Sequence, residues 1–198
     1  MANTRQHVLD VLEVNDRQAK DALRAILHTI LFNRALGVVE PKECRLDTFA
    51  GVSYTSCGDT NVDVSIEDSI DKFCQNMQLI GPDLVRGDMV VSFYETKRRT
   101  SFLGIGAPKE EKVFWERWVI PIVVSRGSLQ MVSSKEALVQ TLMRVLYHAN
   151  DIASIPKFKP TGGEYASSVF TYEISTMNNS AKGTPGLFNR FLSDGQPA

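Results

Sequence analysis

Side chains able to do chemistry are few in this sequence, and they do not group. The histidines His7, His28 and His148 stand singly, with no Cys, Asp, Glu or second His at metal-ligand spacing around them. His28 falls on the polar face of a predicted helix, where a solvated surface histidine is expected. No G-x-S-x-G elbow, phosphate-binding loop, H-E-x-x-H or C-x-x-C is present. Gly104-Ile105-Gly106 is half of a dinucleotide fingerprint, but it sits in a predicted hairpin loop rather than between a strand and a helix. Glu110-Glu111 places two carboxylates in a charged loop, where they solvate the chain more simply than they do acid–base work. Cys44, Cys57 and Cys74 are odd in number and widely spaced, which suits reduced, buried thiols in a cytosolic protein better than a disulfide framework. These patterns predict no catalytic residue, no metal ligand and no cofactor. An enzyme would need at least one of His28, His148 or Glu116 in a deep pocket with a perturbed pKa.

A different kind of feature lies at 97–112, KRRTSFLGIGAPKEEK, a polar, glycine-containing loop between two predicted strands. Three cations, Lys97, Arg98 and Arg99, precede Phe102 and Leu103. Large apolar side chains at a charged loop tip can anchor a partner, or can fold back as a small cluster beneath the loop. The residues alone leave both open.

The elements that must carry these residues are readable from periodicity. Residues 15–37 place Ala19, Ala22, Leu23, Ile26, Leu27, Ile30 and Leu31 on one helical stripe, with Arg17, Lys20, Asp21, Arg24 and His28 opposite. Asn15 and Gln18 form a capping box, and Gly37 is the expected C-terminal stop. Before this helix, 8–14 reads as a strand. After it, two short strands are expected around Cys44 to Tyr54, with a turn at Cys57-Gly58-Asp59. Ser65 with Asp68 is expected to open a second helix along Ile66, Ile70, Phe73 and Met77, stopped by Gly81-Pro82. Strands are predicted at 89–96 and 113–124, the latter with Phe114, Trp118, Ile120, Ile122 and Val124 on one face and Glu116 as its exception. Pro121 is expected at a sheet edge or bulge. Ser133 and Glu136 box a third helix whose buried stripe is Leu138, Leu142, Val145, Ala149 and Ile152, widened by Leu146 and stopped at Ile155-Pro156. A last strand is predicted at 169–175, with Phe170, Tyr172 and Ile174 on one face. The fold class is α+β, with three helices packed on one face of a mainly antiparallel sheet.

Composition narrows the setting. The 198 residues, 43% hydrophobic with formal net charge −1, suit one soluble domain with a real core. Nothing in the charge balance advertises nucleic acid, no apolar run spans a bilayer, and the charged N-terminus is no signal peptide. The domain is expected over 1–176, with 177–198 a tail that is mobile alone or docks as a short helix through Leu187, Phe188, Phe191 and Leu192.

Asp16-Arg17-Gln18, Ala22, Ala25-Ile26-Leu27-His28-Thr29-Ile30-Leu31, Arg34 and Gly37 resemble the first helix of the autophagy-related protein 101 family. Met89 with Ser92-Phe93-Tyr94, Lys97-Arg98-Arg99, Trp115-Glu116 with Trp118, Ile155-Pro156-Lys157, and Tyr172 with Ile174-Ser175 come in the same order. The resemblance implies a HORMA domain with a C-terminal segment able to rearrange, and no enzymatic activity. It implies an adaptor of autophagy initiation that binds and stabilises the HORMA domain of autophagy-related protein 13 within the initiating kinase complex. Its place is the cytoplasm, at the phagophore assembly site. The hairpin loop then acts as a finger recruiting downstream factors, with Phe102 and Leu103 where other members use a Trp and a Phe. This chain lacks that Trp, has a longer loop before Trp115, and is shorter between Pro160 and Val169, so its C-terminal cap is expected to be reduced. The partner face is placed at Phe32 and Asn33, at the end of the first helix. The alternative within the same fold is a module that traps a peptide beneath its C-terminal strand in another signalling pathway.

Overall fold

The computed structural model describes residues 4–36, 39–99, 109–127, 134–152, 155–156 and 169–177. Its centre is α1 (Asp16–Phe32), which packs against both other helices, α2 (Thr60–Gln75) and α3 (Ser134–Ala149). The expected capping box forms. Asn15 Oδ1 accepts from the Gln18 amide at 3.0 Å, and Gln18 Oε1 accepts from the Asn15 amide at 3.3 Å. Ala22, Leu23, Ile26, Leu27, Ile30 and Leu31 are fully buried, each large side chain contributing about 1.5–3 kcal/mol on leaving water. The helix stops at Phe32, short of Gly37, because Asn33 caps it: its side-chain amide donates to the Thr29 carbonyl at 2.8 Å.

A six-stranded sheet lies beneath the helices. Its long strands β6 (Leu84–Arg99) and β7 (Lys109–Ser125) pair antiparallel. Beyond β7 run β1 (Arg5–Val8) and β2 (Leu12–Asn15), both parallel to it. The other edge of β6 is shared end to end by β8 (Tyr172–Met177) and β5 (Gln78–Gly81), both antiparallel. A separate ribbon, β3 (Lys42–Arg45) with β4 (Ser53–Ser56), packs on α1. The expected architecture, three helices on a mainly antiparallel sheet, is the observed one.

The differences have local causes. The strand expected at 8–14 is two strands, broken at Leu9-Asp10-Val11. The break lies alongside Pro121: β1 ends opposite Val119 and β2 begins opposite Ile122. A residue with no N–H is thus tolerated inside a central strand, because the neighbouring strand is interrupted there. α2 begins at Thr60, not Ser65. Asp59 caps it by accepting from the Asn61 amide at 2.9 Å, so Cys57-Gly58-Asp59 is its approach and the β3–β4 turn is 46–52. α2 ends at Gln75, and the segment before Gly81-Pro82 is the unforeseen β5. β6 and β7 also run farther into the loop than expected, so Lys97 to Arg99 and Lys109 to Lys112 are paired strand residues, with Glu110 and Glu111 opposite Arg98 and Lys97. The last strand starts at Tyr172; Val169 instead bridges Ala35. Position 133, the expected cap of α3, lies outside the described residues, and of the expected tail 177–198 only Met177 is described, as the end of β8.

Candidate functional site

The charged group that sequence marked as an exception on its strand, Glu116, is fully buried. A bulge makes Trp115 the extra residue of β7 between the pairs Tyr94–Phe114 and Phe93–Glu116. Trp115 and Glu116 are consequently both buried. Arg34, just past α1, turns inward and grips Glu116 in a two-point pair: Nε donates to Oε2 at 2.6 Å and Nη2 to Oε1 at 2.7 Å. Its Nη1 donates to the carbonyls of Asn33 at 2.9 Å and Ala149 at 3.2 Å. One guanidinium thereby ties the ends of α1 and α3 to the sheet.

His7 of β1 brings its Nε2 to 3.3 Å from Glu116 Oε1 and stacks on Trp118 at 4.2 Å between ring centroids. His148 of α3 lies 4.9 Å from His7. Burial alone would raise the Glu116 carboxyl, but hydrogen bonds from Arg34 and His7 and the Arg34 charge outweigh it and hold the pKa at about 2. Burial, then the neighbouring His7, Arg144 and Arg5, push His148 below its ordinary value. With both oxygens of Glu116 engaged, the cluster acts as a pin between elements rather than as a proton donor or acceptor.

His28 is not the solvated surface residue expected. α2 and β4 cover that side of α1, so His28 is buried, stacked on Tyr54 at 5.0 Å with Nδ1 3.9 Å from Asp63. Burial lowers its pKa, partly offset by Asp63 and Glu67. Elsewhere on the polar stripe, Arg24 pairs with Asp21 of its own helix at 2.6 Å and with Glu67 of α2, Lys20 pairs with Asp71 of α2 at 2.7 Å, and Arg17 is exposed. The requirement set for an enzyme is therefore met in half. His28 and Glu116 are buried with shifted pKa values, yet neither lines a cleft of about 270 Å³ between Asn76, Ile80, Arg86, Asp88 and Met177. Cys57 is buried, Cys44 and Cys74 half-buried, and all three thiols are free; burial lifts Cys57 to about 11.

What the molecule displays outward is a helix face. Val139, Met143, Leu146 and Tyr147 of α3 are all exposed, Met143 by 62% and Tyr147 by 76%. At 100° per residue they share an arc of about 100°, turned away from the buried stripe of Leu138, Leu142, Val145 and Ala149. Leu146 was expected to widen that buried stripe and Ile152 to extend it; both are exposed, Leu146 because it is rotated toward Met143, Ile152 because the helix has ended at Ala149. Ion pairs from Arg144 to Asp10 and from Arg5 to Asp151 hold this end of α3 against β1 and the β1–β2 link. Met143 and Tyr147 were missed as candidate site residues. The available signal was a helix apolar on two faces, one more than its own core requires.

Of the residues picked from sequence, Phe32 is half-buried and packed against the core, and Asn33 caps α1. Asn33 sits beside the end of α3, since Arg34 Nη1 bridges the carbonyls of Asn33 and Ala149. Phe102 and Leu103, like Gly104 and Gly106, lie outside the described residues. β6 and β7 carry the loop out as a two-stranded stem paired as far as Arg99 and Lys109.

The family model for Autophagy-related protein 101 matches residues 11–161. The chain belongs to that family. It is 29% identical to Autophagy-related protein 101 of Arabidopsis thaliana, covering 96% of this chain and 95% of that protein. It is 25% identical to the Homo sapiens protein of the same name, over 92% of each. The Xenopus tropicalis protein is 28% identical over 65% of this chain and 62% of its own length. The chain is thus an autophagy-related protein, and its three helices on a mainly antiparallel sheet are the HORMA arrangement. No described helix is long and apolar enough to cross a membrane.

Proposed function

We propose that this chain is a non-catalytic adaptor of autophagy initiation, acting in the cytoplasm at the phagophore assembly site. It binds and stabilises the HORMA domain of autophagy-related protein 13, joins the initiating kinase complex through it, and recruits downstream factors through Phe102 and Leu103 on the β6–β7 loop. The observation that carries this reading is the outward apolar stripe of α3. Four exposed apolar side chains on one rigid helix, with a Tyr and a Met among them, match the composition of a protein–protein contact better than that of a solvated surface. Phe32 and Asn33, at the end of α1, would contribute to the partner face. The engaged state of Glu116 and the burial of His28 support a scaffold over a catalyst, because neither lines the cleft between Asn76, Ile80, Arg86, Asp88 and Met177.

The test is a mixture with the HORMA domain of autophagy-related protein 13 from the same organism, followed by size-exclusion and thermal melting. A one-to-one complex with a raised Tm is expected. Met143→Asp with Tyr147→Asp should leave the free chain folded and weaken the complex by about 2–4 kcal/mol, the scale of lost central anchors. No complex at micromolar concentration would overturn the reading. A complex indifferent to the double substitution would move the interface off α3.

A further inference from the structure

His148 stands just outside the Arg34–Glu116 pin. It is half-buried in the last turn of α3, with its ring 4.9 Å from that of His7 and 6.3 Å from that of Trp118. His7 is buried, stacked on Trp118 at 4.2 Å and facing the Glu116 carboxylate at 3.3 Å. The surroundings of His148 are of the opposite sign. The charged groups that reach it are His7 and Arg5 from β1 and Arg144 from its own helix, and each disfavours a proton there. Tyr147 adds a ring edge at 5.4 Å. The three carboxylates of this junction are already engaged by arginines: Asp10 by Arg144, Asp151 by Arg5 and Glu116 by Arg34. The contact of α3 with β1 is therefore balanced in charge while His148 is neutral, and a proton on His148 upsets the balance.

Detached from β1, the same side chain is better placed to charge. It would enter water and leave His7 and Arg5 behind, yet keep its place in the last turn, where the helix dipole favours a cation. A group that binds a proton more readily in one of two states draws the molecule toward that state as pH falls. Burial, then His7, Arg144 and Arg5, lower the proton affinity of His148 in the closed junction. Closure is thus fully favoured above about pH 6.5, the ordinary imidazole value, and weakens below it. Glu116, held at about 2, stays ionised throughout, so the pin itself does not titrate in this range.

We propose that the His7–His148 contact is an acid-sensitive latch, which holds the last turn of α3 on β1 at neutral pH and releases it when His148 is protonated. Leu146 and Tyr147 of the outward apolar stripe sit on that turn, so acid would also weaken the partner contact. That consequence rests on the reading of α3 as the partner face; the latch does not. The test is hydrogen–deuterium exchange on the full chain at pH 7.5 and 5.5, with rates corrected for the intrinsic effect of pH. Opening that takes up one proton gains at most about tenfold per pH unit, so the amides at 146–151 should lose protection by about tenfold over this range. His148→Gln cannot take the proton and should keep its protection at both pH values. His148→Lys, a permanent cation, should exchange fast already at pH 7.5. Equal protection of 146–151 in the unsubstituted chain at both pH values would overturn the latch. So would a pH effect that survives in His148→Gln, which would place the titrating group elsewhere. Affinity for the HORMA domain of autophagy-related protein 13, measured at the same two pH values, is the separate arm. Exchange that follows the prediction while that affinity stays constant would support the latch and move the partner contact off the end of α3.

Discussion

Arg34 and Glu116 show how a charged pair can be structural at no loss of specificity. Both side chains are essentially without solvent, and all three guanidinium nitrogens of Arg34 are engaged, Nε and Nη2 with the carboxylate and Nη1 with the carbonyls that end α1 and α3. Removing one partner would strand the other charge in the core. Arg34→Met should therefore cost about 3–5 kcal/mol in chemical denaturation, whereas Arg34→Met with Glu116→Leu should recover most of it. Acid adds a second signature. The Glu116 pKa is depressed from 4.5 to about 2 in the fold, so its contribution is complete above pH 4.5 and is lost as pH falls toward 2. The double variant should show a shallower loss of stability across that window, measured as the denaturation midpoint against pH. At this scale the sequence was legible as an anomaly only. Glu116 stood out on an apolar strand face, but Arg34 is 82 residues away, and no local pattern names a partner at that distance. His28 failed for a related reason: periodicity identifies a polar helix face but not whether another helix, α2, will cover it.

Elements were legible where a strong local signal coincided with the packing that rewards it. The Asn15–Gln18 box and the stripe from Ala19 to Leu31 fixed α1, and alternation fixed the cores of β6 and β7. β5 was not legible, because Gln78 to Gly81 is four residues long, ends in Gly-Pro, and has no buried face to alternate against. The start of α2 was misplaced because Asp59 and Ser65 are both competent caps, and the choice between them is made by how the chain leaves β4. Gly87 shows a constraint that only packing reveals. It lies on β6 beneath α2, and a Cβ there would sit 2.6 Å from Cζ and 2.8 Å from Cε2 of Phe73. Phe73 is fully buried and has nowhere to retreat. Gly87→Ala should destabilise by about 1–3 kcal/mol through overpacking, despite the general preference of strands for a side chain. Urea denaturation that left the midpoint unchanged would mean that α2 shifts freely on the sheet.

On the scale of the whole molecule, the helix layer and the β6–β7 stem present two surfaces that have no side chain in common. α3 offers its apolar stripe from the helix side, while the stem, paired out to Arg99 and Lys109, leads into the loop whose sequence holds Phe102 and Leu103. An adaptor needs this separation, because one partner must remain bound while the other is recruited. Energetic coupling between surface sites farther apart than about 10 Å and sharing no neighbours is small, so their effects should add. Phe102→Asp with Leu103→Asp is accordingly expected to leave the melting temperature and the affinity for the partner HORMA domain within experimental error, while capture of downstream autophagy factors is lost. The α3 pair Met143→Asp and Tyr147→Asp should give the reverse: loss of the HORMA partner, with capture through the loop retained by the isolated chain. Combining all four substitutions should sum the two defects. Unfolding of the Phe102/Leu103 variant would instead place those side chains in a cluster beneath the loop, and the recruiting contact would then belong to the charged stem, where Lys97 and Lys112 stand opposite Glu111 and Thr96.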